Sequence, residues 1–254
     1  MKHLYLHLPI LFIVLALTAC KEDEPVYGTT VLSSIQEVSI QEGKTITLQT
    51  NNPQDFAGDD LVWFSSDESV ATVESGIVTG LKAGSTTVFV TRGNKKMKQY
   101  TVWVFNSKKF MNIDGKKYPI TYVNLNTTNA DHGFYEILFC TREVPDYKPQ
   151  YAYAADVPSI LLYFSQTMMF EEIDFSVTPS TDYDNLHMEV HNYAGIQTLL
   201  EGSYFEEGSF AFLPSGSGWD FSLNVDCMLY DSNTGEQKPL TIIYTGGLDF
   251  HGDW

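Results

Sequence analysis

The sequence predicts an all-β protein built from two consecutive units. We expect an N-terminal β-sandwich over residues 31–106 and a C-terminal antiparallel β-sandwich or barrel over residues 108–254. In short segments, apolar and polar residues alternate with a period of two, which is typical of half-buried strands. Clusters of Gly, Asn, Asp and Pro separate these segments as turns do, and the N-terminal unit has no helical apolar period.

Composition and charge narrow the class of partner. The 254 residues are 43% hydrophobic, and 15 Lys and Arg face 32 Asp and Glu, giving a formal net charge of −17. Residues 108–254 contain 21 of the acidic and 7 of the basic residues, a net charge of −14. A chain this acidic repels phosphate backbones, so we expect no nucleic acid partner. The same segment holds 12 of the 15 Tyr and 11 of the 16 Phe, which argues against disorder.

The first residues predict an export signal rather than part of the fold. Lys2 precedes an apolar run from Leu8 to Leu17. This run is shorter than the roughly 20 residues that a membrane-spanning helix needs, and it suits a secretory signal peptide. We predict a signal peptide over residues 1–19 and a tether over residues 20–30.

The end of this segment, Leu17-Thr18-Ala19-Cys20, resembles the lipobox of bacterial lipoproteins. The resemblance implies cleavage before Cys20 and a diacylglycerol on its sulfur, which would attach the chain to a membrane. The alternative is an ordinary signal peptide with an incidental cysteine. The following Lys21-Glu22-Asp23-Glu24 resembles the surface-export signal of lipoproteins in one phylum of Gram-negative gut anaerobes. That implies the outer membrane, facing the cell exterior, whereas the alternative is a solvated charged tether.

Elements of the first unit follow in order from this patterning. Residues 31–40 fit an edge-type strand, and residues 45–50 form a clean period-two strand that Asn51-Asn52-Pro53 ends. The further strands predicted lie within residues 61–73, 76–81, 88–90 and 100–105.

This stretch resembles a bacterial Ig-like domain of group 2. The residues that carry the resemblance are Trp63, Ser65-Ser66-Asp67, Val70-Ala71-Thr72-Val73, Gly76-x-Val78-Thr79-Gly80-Leu81 and Gly84. It implies an Ig-like sandwich of the kind found in surface proteins and adhesins, often as a spacer, with no shared catalytic residue. Trp63 is expected to fill the space between two sheets, and the three glycines are expected in turn conformations. Phe64 replaces a usually smaller polar residue, so we expect a neighbour to cover it.

The second unit reads as a series of eight or nine antiparallel strands. Asp114-Gly115-Lys116 predicts a turn between residues 110–113 and 118–125. Further strands are predicted within residues 134–144, 159–164, 174–177, 185–193, 197–201 and 209–213. Residues 219–230 and 240–245 should pair as a hairpin across residues 231–235, and residues 165–173 fit either a strand or the start of a helical turn.

Turn motifs of this unit loosely resemble a β-domain of uncharacterised surface lipoproteins. They are Asp114-Gly115-Lys116-x-Tyr118, Glu201-Gly202-Ser203-Tyr204, Trp219-x-Phe221 and Tyr244-Thr245-Gly246-Gly247-Leu248. The resemblance implies a fold class and little about activity.

One strand carries a metal-ligating pattern. On a strand, His187, Glu189 and His191 share one face and lie about 6.6 Å apart in steps of two. Two imidazoles and a carboxylate suit zinc or another divalent ion, although the polar face of an amphipathic strand is the simpler interpretation. No distant third ligand is identifiable.

Aromatic residues supply the ligand-binding candidates. Tyr147, Tyr151 and Tyr153 lie in the loop between Pro145 and Pro158, where their rings suit a sugar or a protein partner or fold back as a lid. Trp219 is a further candidate, with a core anchor as the alternative.

Two cysteines remain after lipidation. Cys140 and Cys227 lie on predicted strands outside the reducing cytosol, so a disulfide is permitted. Their phases differ, with Cys227 inward and Cys140 out of phase with its neighbours, which favours free buried thiols.

These observations predict a binding protein rather than an enzyme. No phosphate loop, dinucleotide fingerprint or Gly-x-Ser-x-Gly motif occurs, so we expect no cofactor and no enzymatic activity. The leading hypothesis is a surface-exposed lipoprotein that binds extracellular glycan or protein, with the Ig-like unit as spacer. A structural or accessory subunit of a surface assembly or nutrient importer is second, and a metal-dependent enzyme is third.

Overall fold

Alternating apolar segments form strands in every part of the chain that the structure describes, which confirms the all-β class. The computed structural model describes residues 36–49, 60–127, 130–143, 158–170, 172–175, 186–191, 200–202, 208–215, 220–231 and 234–252. Leu32–Trp254 form one compact unit. The strands described are β1 Gln36–Gln41, β2 Thr45–Thr47, β3 Leu61–Ser65, β4 Ala71–Glu74, β5 Ile77–Gly80, β6 Gly84–Arg92, β7 Lys95–Phe105, β8 Lys109–Ile113, β9 Lys116–Pro119, β10 Tyr122–Asn126, β11 Phe134–Cys140, β12 Ser159–Ser165, β13 Glu172–Asp174, β14 Leu186–His191, β15 Leu200–Gly202, β16 Ser209–Ser215, β17 Asp220–Asp231, β18 Gln237–Gly246 and β19 Phe250–Gly252.

The first seven strands form the predicted Ig-like sandwich. One sheet has the order β1-β7-β6-β3 and the other has the order β2-β5-β4. Inward side chains from both sheets share one core, with Val78, Val88, Val102 and Val104 fully buried. The strand β1 pairs in parallel with β7 over six residues, whereas the other pairs of the sandwich are antiparallel.

Trp63 and the glycines around it show how this core closes. Gly76 has a positive φ of 81°, and a Cβ there would lie 3.2 Å from the Trp63 ring, so glycine allows the indole to pack against the turn. The prediction of a turn conformation is wrong for Gly80, which makes room instead: its Cβ would lie 3.0 Å from Val104. Phe64 stacks on Phe89 with ring centroids 5.0 Å apart, which gives this exposed ring the expected cover.

The remaining strands form one long sheet that folds over on itself. Its order is β19-β10-β11-β12-β14-β15-β17-β18-β8-β9, and β16 pairs with β17 and β13. Inward side chains from both halves meet in one aromatic-rich core that includes Phe139, Phe164, Phe210 and Leu223. Within the described ranges, β19 and β9 do not pair with each other, so the unit is an open sandwich rather than a closed barrel. The pair β10–β19 is parallel, the exception to the predicted antiparallel pairing.

Local features follow the sequence closely in two places. The hairpin β17–β18 pairs over ten positions, and the inward phase of β17 buries Phe221 through Leu229 at alternate residues. A tight turn at Asp114 and Gly115, with φ of 50° and 81°, joins β8 to β9.

The strand predicted over residues 118–125 is divided into β9 and β10. Residues 165–173 contain a short 3-10 helix, Gln166–Met168, followed by the start of β13.

The Ig-like sandwich and the long sheet share an interface along β1, β7 and β9. Trp103 packs edge-on against Tyr118, with centroids 5.1 Å apart. The Ser39 hydroxyl donates to the Lys117 carbonyl at 2.6 Å, and Lys116 and Glu37 form an ion pair at 3.3 Å. These contacts agree with the short connection between the two units.

None of the helical segments in the described part of the chain has the length and apolar character needed to span a membrane.

Candidate functional site

An aromatic pocket opens at one end of the long sheet. Its volume is about 170 Å3. The lining residues come from five strands and two connecting segments: Leu125, Tyr135, Ile137, Phe164, Met169, Phe170, Phe212, Pro214, Asp220, Phe221 and Leu248. We call this set the aromatic pocket.

Ring packing fixes the floor of the aromatic pocket. Phe212 lies between Phe164 and Phe221, with ring centroids 4.9 and 4.8 Å away. Tyr135 packs against Phe164 at 5.9 Å. Phe164, Phe212 and Phe221 are all buried. Because these rings are held by one another and by paired strands, the apolar surface is formed before any ligand arrives.

Phe170 forms the rim in an unusual backbone state. Its φ is +68°, which a bulky residue rarely adopts, and 70% of its surface is exposed. Two contacts hold it there: its N–H donates to the Phe212 carbonyl at 2.9 Å, and Met169 forms a bridge with Phe212. A strained, exposed phenyl ring at a pocket mouth indicates a contact surface, because neither property improves folding stability.

Charge at the mouth of the aromatic pocket is negative. Asp220 is the charged residue among the described lining, and it is exposed at the first position of β17. Its carboxylate oxygen lies 2.7 Å from where a Cβ of Gly247 would be, so it sits directly against that backbone. Burial, followed by the negative charges of Asp249 and Asp220, raises the pKa of the neighbouring Tyr244 to about 12. Lys109 covers the Tyr244 ring at 5.3 Å.

The chemistry that the described lining offers is binding. It contains aromatic faces, aliphatic groups, one phenol and one carboxylate, but no serine, cysteine, histidine or lysine. Such a lining stabilises an apolar group through burial of roughly 25 cal/mol per Å2 and provides no base-activated nucleophile.

The three predicted metal-ligating residues, His187, Glu189 and His191, lie close together and contact one another. His187 Nε2 and His191 Nε2 lie 3.0 and 3.2 Å from the two carboxylate oxygens of Glu189. Hydrogen bonds from His187 and then His191 lower the pKa of Glu189 to about 2. Within the described ranges, no three His, Cys, Asp or Glu side chains are placed to hold a metal ion. The three side chains form a ladder along one face of β14, in which His187 is hydrogen-bonded to Glu189 and His191 lies within ion-pair distance of it.

Among the described residues, Cys140 and Cys227 are free thiols, so no disulfide joins them. Cys227 faces the main core, whereas Cys140 lies in a separate cluster with Leu138 on the opposite face of the sheet. The intervening sheet keeps the sulfur atoms apart. Burial raises the pKa of both thiols, that of Cys140 to about 12.

Several predicted site residues lie outside the described residues. They are Cys20, Tyr147, Tyr151, Tyr153 and Trp219. The sequence reasoning missed Phe170, Phe212 and Asp220, which come together only through the pairing of distant strands. The sequence does contain one signal for Phe170, the apolar run Met168-Met169-Phe170 directly before acidic residues. This run lies in the stretch that fitted either a strand or the start of a helical turn.

Comparisons with known proteins found similarity in the first unit. Residues 28–102 match the family model of the bacterial Ig-like domain (group 2). A solved structure, a bacterial Ig-like domain containing GH10 xylanase from termite gut, is 30% identical over 27% of this chain, with a TM-score of 0.25. The match spans 18% of that chain. No curated protein matches.

Proposed function

We propose that the protein is a non-catalytic binding protein that a lipid on Cys20 holds on the outer membrane, facing the cell exterior. An Ig-like domain of group 2 indicates a surface or accessory protein. In this proposal the Ig-like unit is the spacer and the long sheet carries the contact site. The aromatic pocket with Phe170 at its rim is the observation that supports binding.

We predicted either a glycan or a protein as the ligand, and the lining of the aromatic pocket favours a protein. A sugar ring brings several hydroxyl groups, and each one buried without a partner costs about 1–3 kcal/mol. Tyr135 and Asp220 are the lining residues whose side chains supply strong polar groups. An apolar side chain of a protein partner meets no such cost. The pocket volume of about 170 Å3 admits one such side chain.

The test compares wild type with F170A on arrays of purified extracellular proteins and of glycans. Phe170 is exposed, so F170A should fold normally and lose at least about tenfold in affinity for a protein target. L81A, which truncates an exposed apolar residue of the Ig-like unit, is the matched control and should bind like wild type. Glycan hits alone, or protein hits unchanged by F170A, would refute the assignment. A Y147A/Y151A/Y153A variant and W219A test the sequence-based candidates in the same assay.

Anchoring is tested separately from binding. Labelled palmitate should enter the wild-type chain and not a C20A variant, and protease added to intact cells should digest the protein. Label in C20A, or protection from the protease, would contradict the proposed attachment.

An assembly subunit remains the second candidate, because one edge strand is apolar. The strand β3 ends the sheet β1-β7-β6-β3, and its Val62 and Phe64 are 57% and 42% exposed. Such an edge suits pairing with another strand. If this edge assembles, V62K should abolish oligomers in light scattering, whereas a wild-type monomer at all concentrations would exclude self-assembly.

A further inference from the structure

We propose that the partner's anchor is an aromatic side chain flanked by a basic residue, with the ring in the aromatic pocket and the cation at Asp220. This inference rests on the proposed function and names the chemistry of the partner. It commits to a protein segment, and a free aromatic amine is an outcome of the test.

The size of the site argues for a ring. An apolar cavity of about 150 Å3 lined by aliphatic and aromatic side chains holds benzene. The aromatic pocket has a volume of about 170 Å3 and is lined by the rings of Phe164, Phe212 and Phe221, which lie in tilted and stacked contact with one another. A phenyl group is therefore of a size that fits this pocket.

The negative charge at the mouth of the aromatic pocket argues for a positive charge on the partner, next to its aromatic ring. Asp220 is exposed at the mouth, and Asp249 lies close enough for both carboxylates to act on Tyr244. Lys109, a cation of this region, is held over the Tyr244 ring and does not line the aromatic pocket. The net charge of −14 over residues 108–254 adds attraction for a basic segment and repels an acidic one.

The surface around the mouth argues for a macromolecule. Phe170 is 70% exposed and continues the apolar surface beyond the pocket. A small free amine would fill the pocket and leave the Phe170 ring in water. A peptide covers this ring, which matches the pattern of a buried anchor surrounded by an apolar rim.

Capped pentapeptides provide the test, titrated into the purified full-length protein and followed by ligand-observed NMR. The central residues are Lys-Phe-Lys, Glu-Phe-Glu and Lys-Ala-Lys, and 2-phenylethylamine is the small-molecule arm. We expect Lys-Phe-Lys to bind roughly fivefold tighter than Glu-Phe-Glu at low salt, with the ratio falling as salt rises. D220N should reduce this ratio. D226N removes the same charge farther along β17, outside the described lining, and should leave it unchanged.

Each outcome separates the two proposals. Equal binding of the Lys-Phe-Lys and Glu-Phe-Glu peptides would overturn the basic flank and leave the aromatic pocket as the anchor site. Equal binding of Lys-Phe-Lys and Lys-Ala-Lys would overturn the pocket itself, because charge alone would then account for binding. A 2-phenylethylamine affinity equal to that of Lys-Phe-Lys would replace the peptide with a free aromatic amine. No binding by any probe would overturn both.

Discussion

Glu189 belongs to a metal-ligating sequence pattern, yet its side chain contacts the other two residues of that pattern. Its carboxylate lies between His187 and His191 and receives a contact from each imidazole. Spacing along β14 puts the three side chains on one face, as predicted, and the Glu189 carboxylate lies 3.0 and 3.2 Å from the two imidazole nitrogens. A pattern of ligand types along a strand therefore does not distinguish a metal site from a self-contained ladder.

The Glu189 ladder should make stability depend on acidity. The pKa of Glu189 falls from its ordinary 4.5 to about 2 on folding. The ionised carboxylate therefore stabilises the folded state above about pH 4.5, and this contribution is lost as the pH falls towards 2. We expect E189Q to lower the free energy of unfolding by about 1–3 kcal/mol at neutral pH, with the difference shrinking below pH 4. Urea unfolding across a pH series measures this effect.

The matched control for E189Q is E236Q, in an exposed carboxylate near the β17–β18 turn. It should change stability by less than about 0.5 kcal/mol at every pH. A constant difference between wild type and E189Q down to pH 3 would contradict the role of the ionised form.

Buried thiols lead to a second prediction at the residue scale. Because burial raises the pKa of Cys140 and Cys227, little thiolate forms near neutral pH. We expect neither cysteine to react with Ellman's reagent in the native protein, and both to react once it is unfolded. Rapid native reaction of either cysteine would show that its strand opens readily.

At the scale of elements, one glycine determines how β16 joins β17. Gly208 has a φ of +103°, and a Cβ there would lie 1.9 Å from the Asp226 carbonyl oxygen. Ser209, the next residue, pairs with Asp226 in the sheet. The backbone therefore approaches β17 so closely at this point that no other residue fits.

Alanine substitution tests this close approach. G208A should cost more than about 3 kcal/mol or prevent folding, because the β16–β17 pairing must shift. G93A is the control, since Gly93 also has a positive φ but open space around it, and it should cost about 1 kcal/mol. Thermal unfolding of both variants gives the comparison, and equal losses would argue against the steric explanation.

Elements proved more predictable from the sequence than the aromatic pocket. The β17–β18 hairpin follows from local alternation and turn residues, so residues 219–230 and 240–245 could be paired in advance. Trp63 and its glycine turn came from a family pattern. The aromatic pocket unites Leu125 with Phe212 and Leu248, whose proximity depends on the order of strands in the sheet. No local spacing encodes that order.

At the scale of the whole molecule, the interface between the sandwich and the long sheet should couple their unfolding. Tyr118 is fully buried and contacts both Trp103 and Glu37 of the Ig-like layer. We expect wild type to unfold in one transition by both tryptophan fluorescence and circular dichroism. Y118A should cost about 3–5 kcal/mol and separate the two signals. Two transitions in wild type would mean that the layers are thermodynamically independent.

The parallel pairing of β1 with β7 has a mechanical consequence. A pull applied at the N-terminal end of β1 against the long sheet runs along the strands, because β7 leads directly into β8. All six paired positions then carry the load together instead of opening one after another. Ser39 and Glu37 also bind β1 to Lys117 and Lys116 of β9 in the long sheet. The force must therefore break these contacts, in addition to the β1–β7 hydrogen bonds, before the sandwich unfolds. A chain tethered upstream of residue 36 would thus resist shear from flowing liquid at its first strand.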